Sequence, residues 1–273
     1  YEVYQDASLD WEWTKELKAQ CDKEGIHFFS SPYDVGAVDH LEPYVPAFKI
    51  GSGDITWHEI LAHIAKKPVP TIIATGASEL QEVIEAMAVV QAHNENVCVM
   101  QCNTNYTGSR ENLKYVSLEV LKSYRLLFPG AVLGLSDHTP GHVSVLGAVA
   151  LGARVVEKHF TDDNDREGPD HPFSMNPQTW REMVDRTRDL EAALGSQIKR
   201  IEENEKDAVV VQRRCVRAAR ELSAGTVLTE EDLESLRPAP MEALKPHELS
   251  TLLGRKLTKD MAFGQHFTGK EVE

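Results

Sequence analysis

Six short stretches of this chain are apolar almost without interruption, and each leads into a segment with helical periodicity. They are Ile26 to Ser31, Ala47 to Ile50, Pro70 to Thr75, Val97 to Cys102, Val132 to Ser136 and Arg154 to Phe160. A strand with one face in water alternates apolar and polar residues, whereas a strand covered on both faces is apolar throughout. The pattern therefore predicts an α/β protein whose parallel strands are joined by helical crossovers. Both an open doubly wound sheet and a (β/α)8 barrel satisfy it. The intervening helices are expected at Tyr1 to Glu24 (Leu9, Trp13, Leu17 and Cys21 at four-residue steps), Val35 to Tyr44, Ile55 to Lys66, Glu79 to His93 with Ser78 as N-cap, Leu118 to Phe128, His142 to Leu151 and Trp180 to Leu194.

What stands at the strand ends narrows the choice. Ser30, Ser31, Lys49, Ser52, Asp54, Thr75, Gln101, Tyr106, Ser136, His138, Lys158 and His159 all fall at or just past the carboxyl end of an expected strand. A glycine-rich phosphate fingerprint is absent. A site fed by many strand ends is the habit of a barrel, whose active sites lie at that face. The most charged of these junctions is Val155 to Met175, where a β-branched strand breaks into an acidic loop containing Gly and Pro. His138 and His159 end neighbouring strands, which would bring two imidazoles within one coordination sphere. Such a pair suits a transition-metal ion and leaves positions open for water or substrate.

Composition excludes several classes. The formal net charge of −14 argues against nucleic acid or an anionic lipid surface as the main partner, since both require a basic face. No apolar run approaches the roughly 20 residues of a membrane-spanning helix, and no signal peptide is visible. The four cysteines, Cys21, Cys98, Cys102 and Cys215, have neither metal nor disulfide spacing, so a reducing cytoplasm is the expected compartment. The chain opens at Tyr1 inside a helical pattern, which reads as a fragment or a processed chain.

A charged segment, Gly195 to Lys206, separates two textures. The expected domains are 1–195, a linker over 196–208, and a small mixed β module over 209–273. In that module, short strands at Cys215 to Ala219 and Lys256 to Leu257 flank a short helix at Thr229 to Leu233.

Four motifs carry a family resemblance: Lys49-Ile-Gly-Ser-Gly-Asp54, Gln101-Cys-Asn-Thr-Asn-Tyr106, Gly134-Leu-Ser-Asp-His-Thr139, and Glu157-Lys-His-Phe-Thr161 with Gly168-Pro-Asp170. Together they resemble the sialic acid synthases and their legionaminate, pseudaminate and 9-phosphate relatives. Leu222-Ser-Ala-Gly-Thr-Val-Leu-Thr-Glu-Glu-Asp-Leu233 and Leu236-Arg-Pro238 are similar to the antifreeze-like (SAF) domain that follows the barrel in those enzymes. The resemblance runs from residue 1 to 273. It implies a (β/α)8 TIM-type barrel lacking its first two βα units, followed by a SAF (β-clip) domain. The first strand expected here then corresponds to the third of the family, and Val155 to Phe160 to the eighth.

The chemistry implied is condensation of phosphoenolpyruvate with the open-chain aldehyde of an N-acylated amino sugar, giving a nine-carbon 2-keto acid and phosphate. His138 and His159 match the metal ligands, with manganese the first expectation and magnesium or cobalt alternatives. Asp170, Glu157 and Asp54 match catalytic acids. Lys49, Ser52, Tyr106, Ser136 and Thr104 match substrate contacts, and Arg237 matches the arginine that the SAF domain brings to the partner's sugar site in a domain-swapped homodimer. Three positions depart from the family: Asp54 stands where Glu is common, Ala74 replaces a frequent Ser, and Thr104 stands where Asn is frequent. The family's first two βα units, with a glutamate and a further lysine of the site, have no counterpart, so the expectation includes an inactive chain. Two other readings use the same residues: a metal-dependent aldolase or hydrolase on a related barrel, and a carbohydrate-binding protein without turnover.

Overall fold

The computed structural model describes residues 9–273. The chain divides into two compact units, Tyr1–Gly195 and Ser196–Glu273. The first unit is an α/β fold built on five parallel strands in the order β1-β2-β3-β4-β5. These are β1 (Phe48–Ile50), β2 (Thr71–Ala74), β3 (Val97–Cys102), β4 (Val132–Asp137) and β5 (Val155–Lys158). Helices α1 (Trp13–Glu24) and α2 (Val35–Leu41) precede the sheet. The crossovers are α3 (His58–Ala65), α4 (Leu80–Gln91), α5 (Val120–Leu127) and α6 (Val143–Ala150), and α7 (Pro177–Leu194) follows β5.

The sheet is curled into a half-barrel. Side chains show why. Lys49 lies on β1 and Glu157 on β5, the two edge strands, yet Lys49 Nζ is 3.2 Å from Glu157 Oε1. Four steps of about 4.8 Å would put the edges of a flat sheet roughly 19 Å apart. Only a curled sheet lets the inner faces of its edge strands meet.

Continuous apolarity in the strands has the expected cause. All six residues of β3 are buried, and the outer strand residues Phe48, Ile50, Ile73, Val97, Val99, Leu133 and Leu135 join Ile60, Leu61, Ile64, Met87, Val90, Leu121, Val145 and Ala148 in one core. Gly134 is where β4 is squeezed: a Cβ there would lie 2.7 Å from Met100 Cγ and 3.0 Å from the Val155 carbonyl oxygen.

The structure corrects several expectations. Ile26 to Ser31 forms no strand; Ile26 is 59% exposed and Phe29 43%. An apolar run becomes a strand only where a neighbour satisfies its backbone groups, and β1 pairs with β2 alone. Among the described residues the sheet therefore has five strands, not the six expected. The first helix is described from Trp13; the expectation for residues 1–8 lies outside the described residues. Ser78 is not the N-cap of α4. Glu79 is, in a reciprocal capping box with Glu82, while the Ser78 hydroxyl donates to the Gly76 carbonyl.

In the second unit, α8 (Lys206–Gln212) begins within the segment expected as linker. Strands β6 (Cys215–Ala218) and β7 (Leu233–Leu236) pair antiparallel, and isolated bridges such as Leu222–Met261 and Leu257–Val272 extend the mixed β texture around a core of Val216, Leu228, Leu252 and Phe267. The helix expected at Thr229 to Leu233 is one 3-10 turn, Glu230–Asp232, capped by Thr229 and Asp232. No helix among the described residues is long and apolar enough to cross a membrane.

Overpacking of a core by added methyl groups costs about 1–3 kcal/mol. Gly134→Val should therefore lower the unfolding midpoint by several degrees in a calorimetric scan, because the Val155 carbonyl is backbone and cannot move aside. An unchanged midpoint would contradict the packing of β4 described here.

Candidate active site

Register places a row of polar side chains on the inner face of the sheet. Cys102 on β3 is opposite Ser136 on β4, and Ser136 is opposite Glu157 on β5. The Ser136 hydroxyl donates to Glu157 Oε1 at 2.9 Å, the same oxygen that meets Lys49. Ser52 follows β1 in the 3-10 turn Ser52–Asp54, and its hydroxyl accepts the Gly76 N–H at 2.9 Å. A Cβ on Gly76 would fall 2.3 Å from Thr104 Cγ2 and 3.0 Å from both Cys102 Sγ and Ser52 Oγ. Residue 76 must therefore be glycine for Ser52, Cys102 and Thr104 to converge. Asp54 closes the Lys49 side. Burial raises its carboxyl above the usual range, and the Lys49 charge opposes that shift. One cation, two serine hydroxyls and a threonine thus gather beside the Glu157 and Asp54 carboxylates at one set of strand ends.

The histidines stand beside this row. His138 immediately follows β4 and is buried; His159 immediately follows β5 and is half-buried. Their ring centroids are 5.2 Å apart. His138 Nδ1 is 2.8 Å from the Asn103 carbonyl oxygen, so in the neutral ring Nδ1–H donates and Nε2 keeps its lone pair. His159 Nδ1 is 3.3 Å from Asp170 Oδ2. The His138 ring is thus held from behind through Nδ1, the arrangement that orients histidines as metal ligands, and the Asp170 carboxylate stands near the same ring atom of His159. Burial pushes the His138 pKa below its ordinary value, with the Asn103 hydrogen bond opposing, which favours the neutral, ligating form. Among the described residues no group of three or more His, Cys, Asp or Glu is disposed to hold a metal ion. The donor set fits a divalent ion with two imidazole ligands and its other positions left to water or substrate.

Tyr106 packs its ring 4.2 Å from that of His138 and 5.6 Å from that of His159. Asp170 lies in the β5–α7 loop, half exposed, in the same corner. The loop is stapled by Asn164, whose amide donates to the carbonyls of His171 and Ser174. Asp162 and Arg166 form an exposed ion pair facing solvent.

Of the residues singled out from the sequence, Lys49, Ser52, Asp54, Thr104, Tyr106, Ser136, His138, Glu157, His159 and Asp170 fall at this one face of the first unit. Arg237 belongs to the second unit, exposed just past β7. Four further residues were not anticipated there. Gly76 and Asn103 act through backbone groups, which leave no side-chain signature. Phe173, 5.1 Å from the His159 ring, sits in a loop without periodicity. Cys102 lies inside the Gln101–Tyr106 motif, two residues before Thr104 at a strand end, but was not singled out as a site residue.

Cys102 stands in the hollow without being a nucleophile. Burial raises its pKa, and burial pushes the Cys98 thiol up to about 12. Both remain protonated at pH 8, where alkylation requires thiolate. Iodoacetamide at pH 8 should label half-exposed Cys21 and spare Cys98 and Cys102 in the native chain. Rapid labelling of Cys102, read by peptide mass spectrometry, would contradict this.

Residues 1–199 match the NeuB family and residues 213–273 the SAF domain. The chain is 33% identical over 279 residues to the N,N'-diacetyllegionaminic acid synthase of Legionella pneumophila, covering 100% of this chain and 77% of that protein. It is 33% identical over 266 residues to a pseudaminic acid synthase of Campylobacter jejuni, covering 97% and 76%. The crystal structure of the spore coat polysaccharide biosynthesis protein SpsE from Bacillus subtilis superposes with a TM-score of 0.64 at 28% identity, covering 97% of this chain and 78% of that one. The chain belongs to the NeuB family, with a SAF domain following its α/β unit in the sequence.

Proposed function

We propose that the chain condenses phosphoenolpyruvate with an N-acylated amino sugar of the N-acetylmannosamine type, forming a nine-carbon 2-keto acid and phosphate. The observation that carries this reading is the adjacency of an anion receptor (Lys49, Ser52, Ser136, Thr104) and a pair of oriented imidazoles (His138, His159) at one set of strand ends. The synthase names of two relatives support the same class of product.

In this reading Lys49 and the hydroxyls of Ser52 and Ser136 hold the anionic groups of phosphoenolpyruvate. Glu157, through one oxygen, orients both Lys49 and Ser136. A divalent ion held by His138 and His159, manganese first and magnesium or cobalt as alternatives, would polarise the sugar aldehyde as a Lewis acid. The enol carbon forms the new C–C bond to the aldehyde carbon, and the aldehyde oxygen ends as a hydroxyl. Water then adds to the phosphate-bearing carbon, its proton passing to a carboxylate, and phosphate leaves as that carbon becomes the ketone. Asp170, beside His159 and open to solvent, is placed to exchange protons at the aldehyde oxygen or the water. Asp54 supports Lys49. Tyr106 walls the imidazole corner. Arg237 serves the sugar site of a partner subunit in a domain-swapped homodimer.

The test is phosphate release from phosphoenolpyruvate in the presence of manganese(II) and N-acetylmannosamine, its 6-phosphate, or a diacetamido sugar. Release that requires both substrates is expected. Sugar cleavage or turnover without phosphoenolpyruvate would replace this reading with an aldolase. A charged hydrogen bond contributes about 1.5–3 kcal/mol, so Lys49→Met should weaken phosphoenolpyruvate binding about 10- to 100-fold by calorimetry. His138→Ala should weaken manganese(II) binding at least about tenfold with an unchanged circular dichroism spectrum, since it removes one of the two imidazole ligands. Equal affinity in the variant would remove the metal assignment.

A further inference from the structure

Behind the two histidines lies a buried ion pair that the proposed reaction does not use. Lys158 Nζ donates to Asp137 Oδ2 at 2.7 Å, and the side chains are 2% and 1% exposed. Every lone pair of Asp137 is engaged: Oδ1 accepts the Thr139 N–H at 3.0 Å and the Thr139 hydroxyl at 2.8 Å, and Oδ2 also accepts the hydroxyl of Ser144 on α6. Lys158 makes a second bond to the Thr139 carbonyl at 2.6 Å. The network ties the last residue of β4, the last residue of β5, the chain just past His138, and the first turn of α6.

Register makes its position meaningful. Asp137 pairs with Lys158 in the β4–β5 ladder, one step beyond the Ser136–Glu157 pair. Successive strand residues point to opposite faces, so Ser136–Glu157 lies on the inner face and Asp137–Lys158 on the helix side, against Ser144. The next residues along each strand are His138 and His159. A buried ion pair is weak evidence of stability, because desolvation offsets most of its attraction. An apolar pair of similar volume would serve packing as well, but it would lack the directed bonds to Thr139 that hold the chain on either side of His138.

We propose that the Asp137–Lys158 pair is a positioning clamp: with Thr139 and Ser144 it sets the separation and tilt of the His138 and His159 rings. The clamp deepens the reading given above, and its metal-binding consequence rests on that reading. The ring geometry itself does not.

The test compares the parent chain with the Asp137→Leu/Lys158→Met double variant, which removes both charges together and leaves no unpaired ion. Histidine-selective 15N labelling and long-range proton–nitrogen spectra report each imidazole's tautomer without any metal. In the parent chain His138 should show the Nδ1–H tautomer bound to Asn103. In the double variant that signature should give way to averaged tautomers at His138, with a shift at His159. The signals of His63 and His266, bonded to Asp39 and Glu242, should stay in place. Manganese(II) affinity by calorimetry should fall about 10- to 100-fold, the range for losing groups that orient metal ligands. Unchanged His138 and His159 signals would overturn the clamp. So would loss of the folded state in the double variant, which would assign the pair to stability. If the parent chain binds no manganese(II), the metal reading fails on its own and the tautomer comparison still decides the clamp.

Discussion

The contact on which the first unit depends is the one between Lys49 and Glu157. It joins inner-face residues of the two edge strands, so it exists only because the sheet curls, and it closes the hollow that the curl creates. Glu157 Oε1 also takes the Ser136 hydroxyl. One carboxylate oxygen thereby aligns a cation from β1 with a hydroxyl from β4. An ammonium and a carboxylate in a partly enclosed hollow would collapse onto any opposite charge at hand. Pairing them with each other keeps the lysine extended across the face where an anion would arrive.

The β4–β5 junction then organises the rest by simple alternation. Ser136 and Glu157 face inward, Asp137 and Lys158 face the helices, and His138 and His159 follow at the point where the strands open into loops. Three consecutive residues on each strand thus meet three environments. The inner pair faces the hollow, the outer pair is sealed under α6, and the imidazoles lie beside Tyr106, His138 buried and His159 half-buried next to Asp170. The charged residues of these otherwise apolar strands are tolerated because each is paired: Asp137 with Lys158 directly across the ladder, and Lys49 with Glu157 across the curl of the sheet.

Much of this was legible in the chain. Continuous apolar runs announced parallel strands covered on both sides, and the clustering of His, Lys, Ser and Asp at run ends marked the face where those side chains converge. The motifs around Lys49, Tyr106, His138 and His159 identified the family. Where the reading went astray, the cause was a missing partner or a backbone atom. Ile26 to Ser31 has strand composition but no ladder. Glu79, not Ser78, caps α4 because its side chain reaches the N3 amide while Glu82 returns the bond. Asn103 matters through its carbonyl and Gly76 through its N–H and its lack of a Cβ, and neither kind of contribution is written in side-chain chemistry.

The sequence by itself determined most of the element types, the parallel sheet, the division into two units and the identity of the residues at the strand ends. Periodicity and local chemistry are properties of neighbouring residues, and a chain displays them without folding. Only the tertiary structure decided that Lys49 meets Glu157, that Asp137 pairs with Lys158 behind the histidines, and that Cys102 is a protonated wall of the hollow. Those facts depend on the curl of the sheet, on its register and on burial. Each is set by residues far apart in the chain, whose positions follow from how the whole core packs.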